Sequence, residues 1–561
     1  MQTGRRSNRG NALGKVFTIL LVLGLLGLGA WMILRGDGGG DSAPDTREAR
    51  GVDGPTVPSG DAPAPIEPLT RQPTLDQAAA YTIKDGVVDV DISEYAGYAG
   101  LIVANGGLAP NPESIFAKEY GFQVRLTLSE EEGWSKLNNG RVAASVTTAD
   151  VLAVLGRQFE VVVPAQIAFS RGADQVVVDS GITSINGLKG KVLAASQFNE
   201  SEFFIRYLAG EAGVPVQVLR DLDARPRPDA LGLVFYEDAF AACDAYEHEV
   251  GGGRLNGCVG WTPRTEEVVE ASDGAAKVLV SNRNLLVIAD LLLVNKAFAQ
   301  ANPRIVEGLV HGLIEGNAQL RDNPAAHLAV VGKAFGWSEQ DTRDELAQVH
   351  FSNLPENLAF FGGQIDAAGS FAGIFQSSVL AYGDLIRNPS DPARFVDMAA
   401  LQKLQAGGRY AAQTIAIAPI RSENRAALEG DALLSKDIRF FFEPNSSVLD
   451  RNATQNDEYL DTIRNFLQVS PGSVVMLRGH VDNARVAEFE REGGQALVRS
   501  MALHAMELSR KRAQAVRDAL LKRHPNIDPQ RIELVGRGWE EPAGPDSELN
   551  RRVEVQWFTL E

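Results

Sequence analysis

Between Val87 and Leu404, short β-rich runs alternate with amphipathic helical stretches, and this alternation limits the fold more than any other feature of the chain. The runs are LIVA at Leu101, QVRLTL at Gln123, RVAASVTT at Arg141, FEVVVPAQI at Phe159, QVVV at Gln175, KVLAAS at Lys191, LGLVFY at Leu231 and KVLV at Lys277. Between them, Phe203, Phe204, Tyr207 and Leu208 share one helical face, and Val306, Leu309, Val310 and Leu313 share another. Asn302 followed by Pro303 marks the start of that second helix. Strand–helix alternation of this kind predicts an α/β fold with largely parallel sheets. A stretch running from about 81 to 405 is longer than one sheet needs and suits two lobes.

A second pattern follows a connector at about 406–432. A strand from Ile438 to Phe442 leads to a helix over about Ala453–Val469 and a strand, SVVMLRG, ending at Gly479. A helix over about Met506–Leu521, the strand RIELVG and the strand RRVEVQWF complete a compact α+β domain at 433–561. With 561 residues, the chain is too long for one hydrophobic core, so several domains are expected.

The first 80 residues have a different character. Arg5, Arg6, Arg9 and Lys15 precede VFTILLVLGLLGLGAWMIL, an uncharged run from Val16 to Leu34. At about 1.5 Å per residue this run spans roughly 28 Å, close to the ~30 Å hydrocarbon core of a bilayer. A cleaved signal peptide has a shorter apolar region and a small-x-small site after it, whereas Trp31, Met32, Ile33, Leu34 and Arg35 follow here. The expectation is one uncleaved transmembrane anchor at 16–35, with the basic residues 1–15 held in the cytoplasm. From 36 to 80, a Gly run and Pro44, Pro55, Pro58, Pro63, Pro65, Pro68 and Pro73 among Asp, Ser and Thr read as a disordered linker.

The net charge of −18 argues against a nucleic-acid surface, which needs an excess of Lys and Arg. Cys243 and Cys258 are the only cysteines. In an oxidising compartment they are a candidate disulfide, worth about 3 kcal/mol for a loop of this length; two buried thiols are the alternative. No His or Cys spacing fits a metal site, no cofactor motif is present, and there is no Walker loop, GxSxG elbow or HExxH. A non-enzymatic protein is expected.

Four ordered motifs mark the last domain: Gly479-His480-Val481-Asp482, then Leu508-Ser509-Arg510-Lys511-Arg512-Ala513, then Gly536-Arg537-Gly538, then Asn550-Arg551-Arg552-Val553. Together they resemble the OmpA-like peptidoglycan-binding family, whose pattern runs GHTD, NxxLSxxRA, GxG and NRRV. The resemblance places Asp482 and Arg512 where the family holds the diaminopimelate of the stem peptide, with Arg551 in support. The chemistry is consistent, because that residue carries an ammonium beside a carboxylate. Asp suits the first, and the Arg fork grips the second bidentately. Two departures stand out: Ala505 occupies the Asn position, and the segment between Asp482 and Arg512 is longer than usual, as a lid or as extra helix.

SRGADQVVV, then SINGLKGKVLAASQFNESEFFIRYLAGEAG, CVGWTP and ADLLLVNKAFAQANPRIVEGLV resemble the two-lobed substrate-binding proteins of ABC transporters, of the sulfonate, nitrate and thiamine-precursor type. That resemblance implies a periplasmic-binding-protein-like domain whose second lobe spans about 190–280, with hinges near 179–190 and 280–290. A ligand belongs in the cleft, at strand C-termini and helix N-termini. Candidate contacts are Asn105 and Gly106 after the first strand, Thr147 and Thr148 ending another, and Trp261 as a stacking surface. Ser196, Asn199 and Ser201 lead into a helix N-terminus whose free N–H groups favour an anionic solute. For each of these residues, a turn, cap or packing role is an equal alternative.

The whole reads as a single-pass bacterial inner-membrane protein, N-terminus in the cytoplasm and bulk in the periplasm. Its expected partners are peptidoglycan, a small solute, the membrane and an integral membrane complex. Two alternatives are a tethered transporter receptor and a stator-like accessory subunit. The apolar run carries no embedded acid for a proton path, so such a subunit would be non-conducting.

Overall fold

The computed structural model describes residues 62–561 except 130–132, 284, 364–368, 387–388, 418–433, 439, 444–445, 451–452, 470–472, 545–549 and 559–561. The run Val16–Leu34 and most of the linker lie outside the described residues. Among the described residues no helix is long and apolar enough to cross a membrane.

The first sheet takes strands from both ends of the central region: β1 (Val87–Ile92), β2 (Gln123–Leu128), β3 (Ala144–Thr148), β4 (Val161–Ser170), β11 (Ala289–Asn295) and β12 (Val349–Phe351), in the order β12-β4-β11-β3-β1-β2. The second holds β5 (Asp174–Asp179), β6 (Val192–Ser196), β7 (Val216–Val218), β8 (Leu231–Tyr236), β9 (Gly257–Trp261) and β10 (Ala276–Ser281), in the order β10-β5-β9-β6-β8-β7. The chain therefore crosses between lobes twice, at 170–174 and at 281–289. The first crossing lies earlier than the expected hinge near 179–190, because β5 already pairs antiparallel with β9 and β10 in the second sheet. Both sheets are mixed: β1, β2 and β3 run parallel, but β11 lies antiparallel between β3 and β4. β11 (ADLLLVN) and β8 (LGLVFY) are buried along their whole length, as strands covered on both faces must be.

Five helices matter for the clefts and contacts described below: α1 (Ala99–Asn105), α2 (Ala149–Leu155), α3 (Glu200–Glu211), α4 (Ala239–Glu249) and α5 (Pro303–Asp322). LIVA at Leu101, expected as a strand, lies in α1, and Gly106 ends that helix in the left-handed conformation at φ 76°. The stretch is apolar but too short for its period to separate strand from helix. α5 packs on α1 at van der Waals distance, since a Cβ on Gly316 would lie 2.0 Å from the Gly100 carbonyl oxygen. Asn302 bounds α5 as expected, but its side chain does not cap it; its amide donates to the Phe298 carbonyl instead (3.0 Å).

Residues 62–80, assigned by composition to the linker, form an extended strap hydrogen-bonded to both lobes. Ile66 N–H donates to the Phe235 carbonyl in the second lobe (2.8 Å), and Leu69 exchanges two bonds with the Gln197 side chain. Further on, Gln72 donates to the Val154 carbonyl, and Leu75 N–H donates to the Gln158 side chain (2.9 Å). Asn138 donates to the Asp76 carbonyl in the first lobe (2.7 Å). Proline removes backbone donors but leaves carbonyls, and the Pro73 carbonyl accepts from Gln158. The strap needs no core of its own because the lobes supply its partners.

The last domain is a four-stranded sheet, β13 (Leu434–Ile438), β14 (Val474–Gly479), β15 (Ile532–Gly536) and β16 (Val553–Phe558), ordered β13-β16-β14-β15. β13 ends where the expected strand at Ile438–Phe442 was to begin. Two helices join the sheet, α6 (Gln455–Val469) and α7 (Val486–Arg523). α6 buries Leu460, Ile463, Phe466 and Leu467, and Phe466 stacks on Trp557 at 5.7 Å. The helix expected from Met506 begins twenty residues earlier, with a break at Gly494 (φ 60°, ψ −163°), so the long insertion is extra helix. Its first part is pinned by Phe489, which stacks on Trp539 at 6.2 Å.

Candidate functional sites

Where the chain crosses between lobes, the C-terminal ends of β1 and β3, the two crossings, the end of β9 and the start of α3 enclose a cavity of about 70 Å³. Tyr95, Tyr98, Trp134 and Trp261 supply aromatic walls, and Ser93, Ser129, Ser145, Thr147, Thr148 and Ser170 supply hydroxyls. The charged lining residues are Glu94, Asp174, Glu200 and Asp290; no Lys, Arg or His is among them.

The acids are held by different means. Asp290, 1% exposed on β11, accepts a hydrogen bond at Oδ1 from the Tyr98 hydroxyl (3.1 Å), while its buried Oδ2 has no donor among the described residues. Burial, reinforced by the charge of Asp174, holds the Asp290 carboxyl well above the usual range. Asp174 accepts from the Ser170 hydroxyl and the Asn282 amide (2.8 Å), yet burial still pushes it up to about 6. Just behind, Asp150 in the first turn of α2 and Glu345, which accepts from Thr262 (2.9 Å), are each raised by burial to about 7. Glu94 accepts from the Trp337 indole (2.9 Å).

Of the residues picked from sequence, Thr147, Thr148 and Trp261 line this cavity, and Trp261 packs on Phe240 at 5.3 Å. Asn105, Gly106, Ser196, Asn199 and Ser201 are not part of its lining. Asn105 is buried and its amide donates to the Gly107 and Ala109 carbonyls, which shapes the turn after α1. Asn199 caps α3, accepting from the N–H groups of Ser201 and Glu202 (3.1 and 3.4 Å). The donors expected to attract an anion are thus already used, and Glu200 stands beside them. Ser196 closes β6 and Ser201 lies buried in the first turn of α3. Asp174, Asp290, Tyr98 and Trp134 were not picked out, although a lone Asp at the head of the apolar strand ADLLLVN was a usable signal. Cys243 on α4 and Cys258 on β9 are joined as a disulfide, Cα–Cα 5.2 Å.

In the last domain, all four sequence motifs meet at one end of the sheet, where β14 and β15 finish and β16 begins. His480 N–H donates to the Arg552 carbonyl (2.9 Å), Val481 N–H to Gly538 (2.7 Å) and Arg537 N–H to Gly479 (2.9 Å). Gly538 N–H donates to the Ser509 hydroxyl on α7 (3.0 Å). Gly479 is needed for this closeness, since a Cβ there would lie 2.0 Å from the Ser509 carbonyl oxygen. Asp482 sits at the rim and accepts from Ala484 N–H (2.9 Å). Arg512 is 7% exposed, lies over the Phe442 ring at 5.1 Å and donates to the Ser446 carbonyl (3.3 Å). Burial and the neighbouring Arg551 lower its pKa, while the charge of Asp482 raises it. Ala505, at the position where the family pattern has Asn, is buried in α7.

Among curated proteins none matches the chain. Solved structures resembling it include the alkanesulfonate-binding protein SsuA from Xanthomonas axonopodis pv. citri bound to MOPS (14% identity, 56% of this chain and 99% of that one, TM-score 0.41). The periplasmic aliphatic sulphonate binding protein SsuA from Escherichia coli has 15% identity, covers the same 56% against 99% of its own length, and scores 0.43. The periplasmic nitrate-binding protein NrtA from Synechocystis PCC 6803 has 10% identity over 59% of this chain and 91% of its own, with a score of 0.42. The OmpA family model matches residues 441–556, the stretch in which the four motifs converge. The C-terminal domain of this chain is an OmpA-family domain, carried behind a two-lobed α/β domain.

Proposed function

We propose that this chain is a non-enzymatic envelope protein. In this reading Val16–Leu34 anchors it in the bacterial inner membrane, the two lobes hold a small solute between them, and the OmpA-family domain grips peptidoglycan. The convergence of the four motifs around Asp482 and Arg512 carries the reading. A carboxylate at the rim beside a guanidinium fixed by Phe442 and Ser446 is suited to a ligand bearing an ammonium next to a carboxylate. For the lobes, the support is a partly open cavity at the double crossing, lined by aromatic rings, hydroxyls and acids.

Sedimentation of the purified chain with peptidoglycan sacculi tests the wall-binding half. Asp482→Asn leaves the Ala484 bond an acceptor and removes only the charge, so the fold should survive while the pelleted fraction falls by about tenfold. Undiminished pelleting by that variant would refute the assignment of Asp482.

A further inference from the structure

We propose that the interlobe cleft takes a compact organic ammonium ion, with Asp290 as its principal counter-charge. This deepens the solute-binding reading above and rests on it.

Three independent observations lead here. The cavity wall carries Glu94, Asp174, Glu200 and Asp290 and no basic side chain, so a sulfonate, nitrate or phosphate would meet like charges with nothing to neutralise it. Like charges brought together in a cleft shielded from water repel far more strongly than they do at a surface. Secondly, Asp290 lines the cavity while its buried Oδ2 has no donor among the described residues. A buried carboxyl oxygen without a partner costs free energy, and an N–H⁺ group placed against it supplies that partner and draws the proton off Asp290, so that the ionised form is stabilised only with the ligand in place. Thirdly, the first-turn N–H groups of α3, the obvious anion site, are bonded to Asn199.

The remaining walls fit the same ligand class. Tyr95, Tyr98, Trp134 and Trp261 line the cavity, and aromatic rings attract a cation through the ring quadrupole. Thr147 and Ser145 add hydroxyl acceptors for further N–H groups. A cavity of about 70 Å³ favours a molecule of few heavy atoms over an oligosaccharide or a peptide.

Two probes of matched size and opposite charge test the proposal on the purified full-length chain: n-propylammonium and 1-propanesulfonate, each titrated to millimolar concentration in an amine-free buffer. The readouts are the ligand-induced rise in Tm and the change in Trp fluorescence expected from Trp134 and Trp261. The expected result is a saturable response to propylammonium only, weakened about tenfold or more by Asp290→Asn. Gly210→Ala, in α3 but outside the cavity lining and with nothing within 4 Å of the added Cβ, serves as a second variant that controls for folding, and it should keep propylammonium binding. A response to propanesulfonate without one to propylammonium would overturn the ammonium assignment and leave solute binding intact. A response to propylammonium that Asp290→Asn leaves unchanged would overturn the role of Asp290. Silence with both probes would count against the ammonium assignment and the solute-binding reading together.

Discussion

A carboxyl group buried by folding keeps its proton to higher pH than the same group in the unfolded chain, and Asp174, Asp150 and Glu345 are three such groups. Because the folded state then binds more protons, the stability these groups contribute is complete below about pH 4 and is lost as pH rises through 6 to 7. For Asp174, raised to about 6, the loss amounts to about 3 kcal/mol. Asp174→Asn keeps an acceptor for Ser170 and Asn282 and adds no charge, so its Tm relative to the wild type should be clearly higher at pH 8 than at pH 4.5. Scanning fluorimetry across that range checks the sign; an equal offset at both pH values would mean that packing, not charge, decides the position. Glu356 provides the contrast. His350, Asn353 and Ala416 donate to it, its pKa falls to about 2 despite burial, and its stabilisation disappears only in strong acid.

At the level of elements, glycine placement decides how closely helices and strands approach. Gly316 in α5 faces the Gly100 carbonyl, whereas Gly210 in α3 has nothing within 4 Å of the position its Cβ would take. Gly316→Ala should therefore destabilise by about 1–3 kcal/mol through forced separation of α5 from α1. Gly210→Ala should be neutral or stabilising by up to about 1 kcal/mol, because only helix propensity changes. Urea unfolding of both variants tests the pair. The four C-terminal motifs were legible because each is a local arrangement of Gly, Asp and Arg that recurs in fixed order, and their meeting at one end of the sheet follows from strand order and direction. The α/β alternation was legible in the same way, through period and turn chemistry. The first hinge was misplaced because β5 reads like any other strand, and only its antiparallel pairing with β9 assigns it to the second lobe. The acids of the cleft were not legible for a related reason. Asp174 and Asp290 stand 116 positions apart in sequence, and nothing local reveals that two crossings bring them to one cavity.

For the molecule as a whole, the strap at 62–80 is fixed lobe by lobe. Gln158→Ala removes the partners of Leu75 N–H and the Pro73 carbonyl but leaves the Ile66–Phe235 and Leu69–Gln197 bonds intact. Amide hydrogen exchange should accordingly quicken at Leu75, while Ile66 and Leu69 stay protected; acceleration along the entire strap would show that it docks as one unit. The order of these attachments also has a mechanical meaning. Tension arriving from the N-terminal side reaches Ile66 first, then Leu69, then Gln72, loading one hydrogen bond at a time in a peeling geometry. Peeling breaks weak contacts in series, whereas tearing a packed sheet must break many at once. Under load from that side the strap's bonds are therefore expected to give way before either lobe unfolds, releasing about 3.3–3.6 Å of slack for each residue set free.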